Sequence, residues 1–391
     1  MPSDPIVIAS AARTPMGGFQ GAFKSVPARA LGAAALRAAV ERAGIDANAV
    51  DEVIMGNVLS AGQGQAPARQ AALMAGLPES TGCTTINKVC GSGMKAAMIA
   101  HDLITLGTSR IMVTGGMESM SNAPYLLPKA RSGLRLGHAE IKDHMFLDGL
   151  EDAYDPGRLM GTYAEDTATK YGYTREAQDR YAIASLARAL DAIRSGRFKR
   201  EIVPVIAGAA LIEDDEQPLK ASPERIPQLK PAFRNDGTVT AANSSSISDG
   251  AAAMVLMTLS EAERRGITPL ARIAGHATHS QAPAWFTTAP VGAVRKLFEK
   301  TGWDADHTDL FEINEAFAVV AMAAMDDLGL THARVNVNGG ACALGHPLGA
   351  SGARIMVTLI HALEQQGLKR GIAALCIGGG EATAIALERF V

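Results

Sequence analysis

No stretch of this 391-residue chain is apolar for long enough to cross a bilayer. Cysteine is scarce: the four residues, Cys83, Cys90, Cys342 and Cys376, are too few for a disulfide framework in a chain this long. No C-x-x-C pair occurs, so the cysteines offer no zinc-site spacing. Aromatic residues are only 5% of the chain. The net charge of −3 leaves no basic excess to call for nucleic acid and no block of one sign to call for a membrane surface. The first residues lack a basic stretch followed by an apolar core, so neither a signal peptide nor a transit peptide is expected, and a reducing cytoplasm is the expected compartment.

What is present is glycine, 40 residues of it, and a 47% hydrophobic content typical of a packed globular chain. The length predicts two or three domains. Strand-like runs at Pro5–Ala11, Val53–Gly56 and Ile111–Gly116 alternate with helical runs at about 28–42, at about 67–74 and from the Cys90 turn to near Gly107. That alternation argues for a layered α/β fold. From about residue 120 to 249 the pattern breaks into proline-rich, charged, irregular sequence. One long amphipathic helix, 175–194, stands in it, with Thr174 placed as N-cap and Gly196 just past the end. The layered pattern resumes at Asp249–Met257, followed by a helix at about 291–300, a strand at 310–312, helices at about 316–328 and 352–363, and a strand near 373–377. Gly91-Ser92-Gly93 opens a helix leading to a strand ending in Gly115-Gly116. Gly349-Ala350-Ser351-Gly352 does the same toward Gly378-Gly379-Gly380. Two related α/β halves follow from this echo: 1–119, completed by about 250–270, and 271–391, with 120–249 an inserted loop domain.

Cys90 carries the most chemical information. It stands in Asn87-Lys88-Val89-Cys90-Gly91-Ser92-Gly93, at a strand-to-helix turn where unpaired N–H groups and the helix dipole favour the reactive thiolate. A buried cysteine packed as a small hydrophobe is the competing reading. Four further candidates also have plain structural readings when taken singly. Asn314 could cap a helix, His346 before Pro347 could be a turn residue, Cys376 could be core, and Ser245 could be a polar loop residue. Together they suit one chemistry. A thiol nucleophile needs a base, and imidazole is the usual one near neutrality. A second thiol can move a proton to or from carbon. Glycine clusters let backbone N–H groups approach an oxyanion. The set describes a site for acyl transfer and carbon–carbon bond chemistry.

On these runs, with Ala11-Ala12-Arg13-Thr14-Pro15, Gly115 to Met120, Asn314-Glu315-Ala316-Phe317, Gly345-His346-Pro347 and Cys376 to Gly380, the whole chain resembles the thiolases of the short-chain, acetyl-CoA acetyltransferase type. The resemblance implies a five-layered αβαβα sandwich of two similar halves with a loop domain, and a homotetramer built from dimers. It implies that Cys90 carries the acyl group, that His346 takes the thiol proton, and that Cys376 handles the proton on carbon. It further implies one oxyanion site from His346 and an Asn314-held water, and another from the N–H groups of Cys90 and Gly378. Ser245 would lie along the pantetheine arm of coenzyme A, Met160 would line the acyl pocket, and Phe286 would reshape that pocket. Leu159 stands where some members have a histidine. No cofactor and no metal are implied, coenzyme A thioesters being substrates. The implied reaction condenses two acetyl-CoA to acetoacetyl-CoA. A broader or branched short-chain 3-ketoacyl-CoA thiolase working in thiolysis is the alternative. A β-ketoacyl synthase-like condensing protein is disfavoured by Cys376, and a non-catalytic acyl-coenzyme A binder by the retained Cys90, Asn314, His346 and Cys376.

Overall fold

The computed structural model describes residues 4–390; Met1–Ser3, the start of the segment in which no leader is expected, and Val391 lie outside the described residues. Nine strands build the main sheet: β1 (Ile6–Arg13), β2 (Glu52–Gly56), β3 (Gly82–Ile86), β4 (Ile111–Ser119), β5 (Ser248–Thr258), β6 (Ala271–Ser280), β7 (Leu310–Ile313), β8 (Arg370–Ile377) and β9 (Glu381–Glu388). A two-residue piece, Gly17–Gly18, adds to β5 as a tenth. The order is β7-β8-β9-β6-β1-β5-β4-β2-β3.

That order is one motif used twice. In the first half β2 runs parallel to β3 and β4, while β4, β5 and β1 follow one another antiparallel. In the second half β7 runs parallel to β8, while β8, β9 and β6 follow antiparallel. The counterpart of β3 is reduced to a single parallel bridge between Phe311 and Val335. The halves join antiparallel where Val7 faces Arg272 and Ile8 faces Ala271.

Helices lie in three further layers. Ala28–Ala43 and Pro67–Ala75 cover the outer face of the first half. Ala289–Thr301 and Ala318–Leu328 cover that of the second. Ser92–Thr105 and Leu348–Gln365 pack on each other between the halves. The second of these is buried on every side from Leu348 to Leu363, the pattern of a helix with protein all round it. The five layers thus read helix, sheet, helix, sheet, helix.

Most elements fall where the sequence put them. Thr174 caps Arg175–Arg194 by accepting from the Ala177 N–H, and Gly44 closes Ala28–Ala43 in the left-handed conformation. Three readings need correction. The helix expected to begin at Gly352 begins at Leu348, with Pro347 as N-cap. Strands β6 and β9 were not anticipated, because Gly275, His276 and His279 dilute the first and the alanine-rich composition hides the second. The segment between β4 and β5 holds a second long helix, Met160–Tyr171, besides Arg175–Arg194. Among the described residues no helix is long and apolar enough to cross a membrane.

Candidate active site

Both central helices begin at one place. Cys90 lies two residues before Ser92–Thr105, and His346 lies two before Leu348–Gln365. Each N-terminus brings the positive end of its helix dipole to the same cleft. The cleft encloses about 520 Å³ and is lined by Cys90, Gly378 and His346 together with Met160, Ser245 and Phe286. Its walls are otherwise mostly apolar, from Phe19, Phe146, Leu150, Phe233, Phe317 and Leu348.

The Cys90 turn is held tightly. Val89 has φ 46°, a left-handed conformation that costs a β-branched residue about 1–3 kcal/mol. Hydrogen bonds on either side of it fix the turn. The Val89 N–H donates to Asn87 Oδ1 at 2.8 Å, the Ser92 hydroxyl donates to the Val89 carbonyl at 2.6 Å, and the Lys88 N–H donates to Ser92 Oγ at 2.8 Å. The sulfur of Cys90 faces its own N–H and the N–H of Gly378, the first residue of the glycine turn between β8 and β9. The expectation of a favoured thiolate fails here. Burial pushes the Cys90 thiol up to about 11, although the Gly378 N–H and its own N–H pull the other way, and nearby Glu118 adds to the rise.

His346 is buried and neutral. Burial, and then the charge of Arg354, push its pKa down to about 3. Its tautomer follows from one neighbour. The Ser351 hydroxyl donates to the Pro347 carbonyl at 2.9 Å, so Ser351 Oγ accepts from His346 Nδ1–H and leaves Nε2 as the basic atom. Asn314 Nδ2 sits 3.5 Å from both ring nitrogens of His346, and its buried Oδ1 has no hydrogen-bond partner among the described residues. Cys376, at the penultimate position of β8, is fully buried; burial first, then the charge of Cys90, raise its pKa well above the ordinary thiol value. Cys90, Gly378 and His346 therefore share one cleft, with Asn314 against the imidazole and Cys376 close enough to feel the charge of Cys90. Ser245, Met160 and Phe286 stand in the cleft wall. Phe286 packs edge-on to Tyr163 with ring centroids 6.3 Å apart.

Three buried residues that position this set were missed as site residues, because each acts through others. Ser351 sets the imidazole. Glu315 accepts from Tyr181 Oη, Ser185 Oγ, Asn336 Nδ2 and the Cys342 N–H, at 2.8–3.0 Å, and so pins the loop bearing Asn314. Glu118 accepts from the N–H groups of Val58, Leu59 and Gly349 and from Asn57 Nδ2, at 2.7–3.1 Å, tying the His346 helix to the β2 loop. Burial pushes Glu118 up to about 7 despite those donors. The signal available was Glu118 and Glu315 themselves, acidic residues inside otherwise apolar runs.

The family described as "Thiolase, N-terminal domain" matches residues 6–260, and "Thiolase, C-terminal domain" matches residues 267–389. The "Acetyl-CoA acetyltransferase" of Pseudomonas aeruginosa is 50% identical over 98% of this chain and 99% of its own length. "Acetyl-CoA acetyltransferase 2" of Arabidopsis thaliana is 50% identical over 98% of this chain and 96% of its own. Among solved structures, the Acat5 thiolase from Ascaris suum in complex with coenzyme A superposes with TM-score 0.94 at 44% identity, covering 99% of this chain and 100% of that one. The Bacillus anthracis acetyl-CoA acetyltransferase does so with TM-score 0.96 at 43% identity, covering 99% of each. The chain belongs to the thiolase family.

Proposed function

We propose that this protein is an acetyl-CoA C-acetyltransferase, which condenses two acetyl-CoA reversibly to acetoacetyl-CoA and coenzyme A through an acyl-Cys90 intermediate. The observation that carries this reading is the meeting of the Cys90 thiol, the His346 imidazole and the Gly378 N–H in one apolar cleft beside a second thiol, Cys376. At rest both thiols are protonated and the imidazole is neutral. Cys90 gives its proton to His346 Nε2 as its sulfur attacks the thioester carbonyl. The N–H groups of Cys90 and Gly378 receive the oxyanion. When the tetrahedral species collapses, the carbon–sulfur bond to coenzyme A breaks and the leaving thiolate takes the proton of Cys376. The new Cys376 thiolate and the imidazolium arise together, each stabilising the other.

A second acetyl-CoA then gives a methyl proton to Cys376. Its enolate oxygen is held by the imidazolium and a water on Asn314, whose unpartnered Oδ1 suits that role. The enolate carbon attacks acyl-Cys90. The departing Cys90 thiolate regains its proton from His346, and the resting state returns. Ser245, Met160 and the apolar wall accommodate the pantetheine and acyl groups, and no cofactor enters the cycle. Phe286, buried in the wall, also supports a second reading, thiolysis of short or branched 3-ketoacyl-CoA. A cytoplasmic homotetramer, a dimer of dimers, is the proposed state, with residues 120–249 as the loop domain.

Intact-mass spectrometry after exposure to acetyl-CoA tests the reading. One acetyl group is expected on the wild type and on Cys376→Ala, where the leaving thiolate takes its proton from the imidazolium or water instead, and none on Cys90→Ser. Only the wild type should release acetoacetyl-CoA. An unacetylated wild type would sink the proposal. Thiolysis rates across 3-ketoacyl-CoA chain lengths separate the two substrate readings.

A further inference from the structure

A second cluster of chemically active side chains lies outside the cleft, on elements the reaction does not use directly. His101 and Asp102 lie within the helix Ser92–Thr105, and His276 lies in β6, where it pairs with Ile385 of β9. Asp102 Oδ1 is 3.0 Å from His101 Nδ1 and 2.9 Å from His276 Nε2. The two imidazole rings meet edge to face with centroids 5.0 Å apart. One donor atom from each of the three residues lies within 4.8 Å of the others. The His276 and His101 side chains are 14% and 20% exposed, while Asp102 is 53% exposed, so the group is walled by imidazole and open to water on the carboxylate side.

The spacing has chemical meaning. Donors bound cis to one ion at about 2.1 Å stand about 3.0 Å apart in octahedral geometry. Both carboxylate-to-imidazole contacts are hydrogen bonds of that length, so an ion that replaces the shared protons needs little movement of the donors. The donors also come from a regular helix and a paired strand rather than from loops, so little ordering remains to be done on binding. An ion requires neutral imidazole. The Lys300 ammonium, which donates to the His276 carbonyl at 2.8 Å, opposes a bound cation, and the Asp102 carboxylate opposes Lys300.

We infer that His101, Asp102 and His276 form a surface site for a divalent transition-metal ion of the zinc, cobalt and nickel class, completed by water. Two imidazoles and one carboxylate select that class over magnesium or calcium, which prefer all-oxygen sites. The site joins the central helix that opens at Cys90 to the first strand of the second half. A bound ion therefore cross-links the two halves without touching the cleft. His101 and His276 stand 175 residues apart in the chain, and cysteine spacing could not have revealed them.

The test uses the untagged, chelator-treated full chain titrated with Co²⁺ and followed by visible absorption. One equivalent is expected to bind with weak d–d bands and no sulfur-to-cobalt charge-transfer band. His276→Asn and His101→Asn, which keep a hydrogen-bonding group beside Asp102, should each weaken binding at least about tenfold while leaving acetyl transfer unchanged. Zn²⁺ should raise the melting temperature of the wild type and not of His276→Asn. Three results would each overturn the inference: no Co²⁺ bound by the wild type, undiminished binding in both variants, or a charge-transfer band that places the metal on cysteine.

Discussion

At the residue scale the site works by keeping its groups uncharged until substrate arrives. Burial holds the Cys90 thiol near 11 and the His346 imidazole near 3, so the pair at neutrality is thiol and free base, not thiolate and imidazolium. The proton-accepting form of His346 and the proton-donating form of Cys90 coexist between those limits. Acylation by acetyl-CoA, followed by rapid quench and mass spectrometry, should therefore be flat from about pH 5 to about pH 9. A rate that climbed steeply through pH 6–7 would mean an ordinary, solvated imidazole. Ser351 makes the base usable by holding the proton on Nδ1. Ser351→Ala frees the ring to take the other tautomer and should slow acylation about 100-fold, the lower end of what a positioned base contributes. Ser351→Thr, which keeps the hydroxyl, should recover most of the rate, and equal losses in both variants would assign Ser351 a packing role only. Cys90, His346 and Cys376 were legible as sulfur and imidazole groups beside glycine-rich turns, and Asn314 through the run Asn314–Phe317; each has a plain reading alone, and it was the set that pointed to one chemistry. Ser351, Glu118 and Glu315 were not legible, because a residue that acts by orienting another leaves no pattern of its own.

At the scale of elements, glycine misled and then explained. Gly349 and Gly352 read as the opening of a helix that starts near 352, yet both lie inside Leu348–Gln365. They are there for closeness. A Cβ on Gly352 would stand 2.4 Å from the Met94 backbone nitrogen, and one on Gly93 would stand 2.8 Å from that of Ala353. The two central helices touch backbone to backbone at these points, and both open at the cleft. Gly352→Ala must push them apart. It should cost about 1–3 kcal/mol by denaturant unfolding and lower the turnover rate, since Cys90 and His346 ride on separate helices. Gly82→Ala is the control. Its Cβ would come no nearer than 3.4 Å to the Glu52 side chain, on an exposed edge strand, and it should leave both properties nearly unchanged. If Gly352→Ala were as mild as Gly82→Ala, helix contact could not be what sets the cleft. The buried Glu315 hub makes a second element-scale case. Glu315→Ala leaves Tyr181, Ser185 and Asn336 without their acceptor and should destabilise by about 3 kcal/mol or more, read as a lower unfolding midpoint.

Over the whole molecule, the repeat of helix start, helix, strand and glycine cluster was enough to read two halves from the sequence, because each half must solve the same packing problem with the same local signals. The pairing of β1 with β6 that makes the halves one sheet was not legible, since a two-residue contact between distant strands has no local signature. Nor was the cost of burying so many imidazoles. His332 stacks on Tyr181 with centroids 4.7 Å apart, and burial, then Arg188, push its pKa down to about 4. Tyr181 in turn donates to Glu315, so this imidazole backs the wall behind Asn314. Between pH 6.5 and about 4 the unfolded chain binds a proton at this position that the folded chain refuses. Stability is therefore present above the unfolded value and is lost as the pH falls through that window. His346 loses stability over the same range for the same reason. His332→Phe keeps the stack and removes one titrating group. In denaturant unfolding at pH 7 and pH 4.5, the variant should lose less stability on acidification than the wild type, by on the order of 1–2 kcal/mol once solvent screening of this half-buried ring is allowed for. Equal losses would mean that His332 takes its proton as readily in the folded wall as in the open chain.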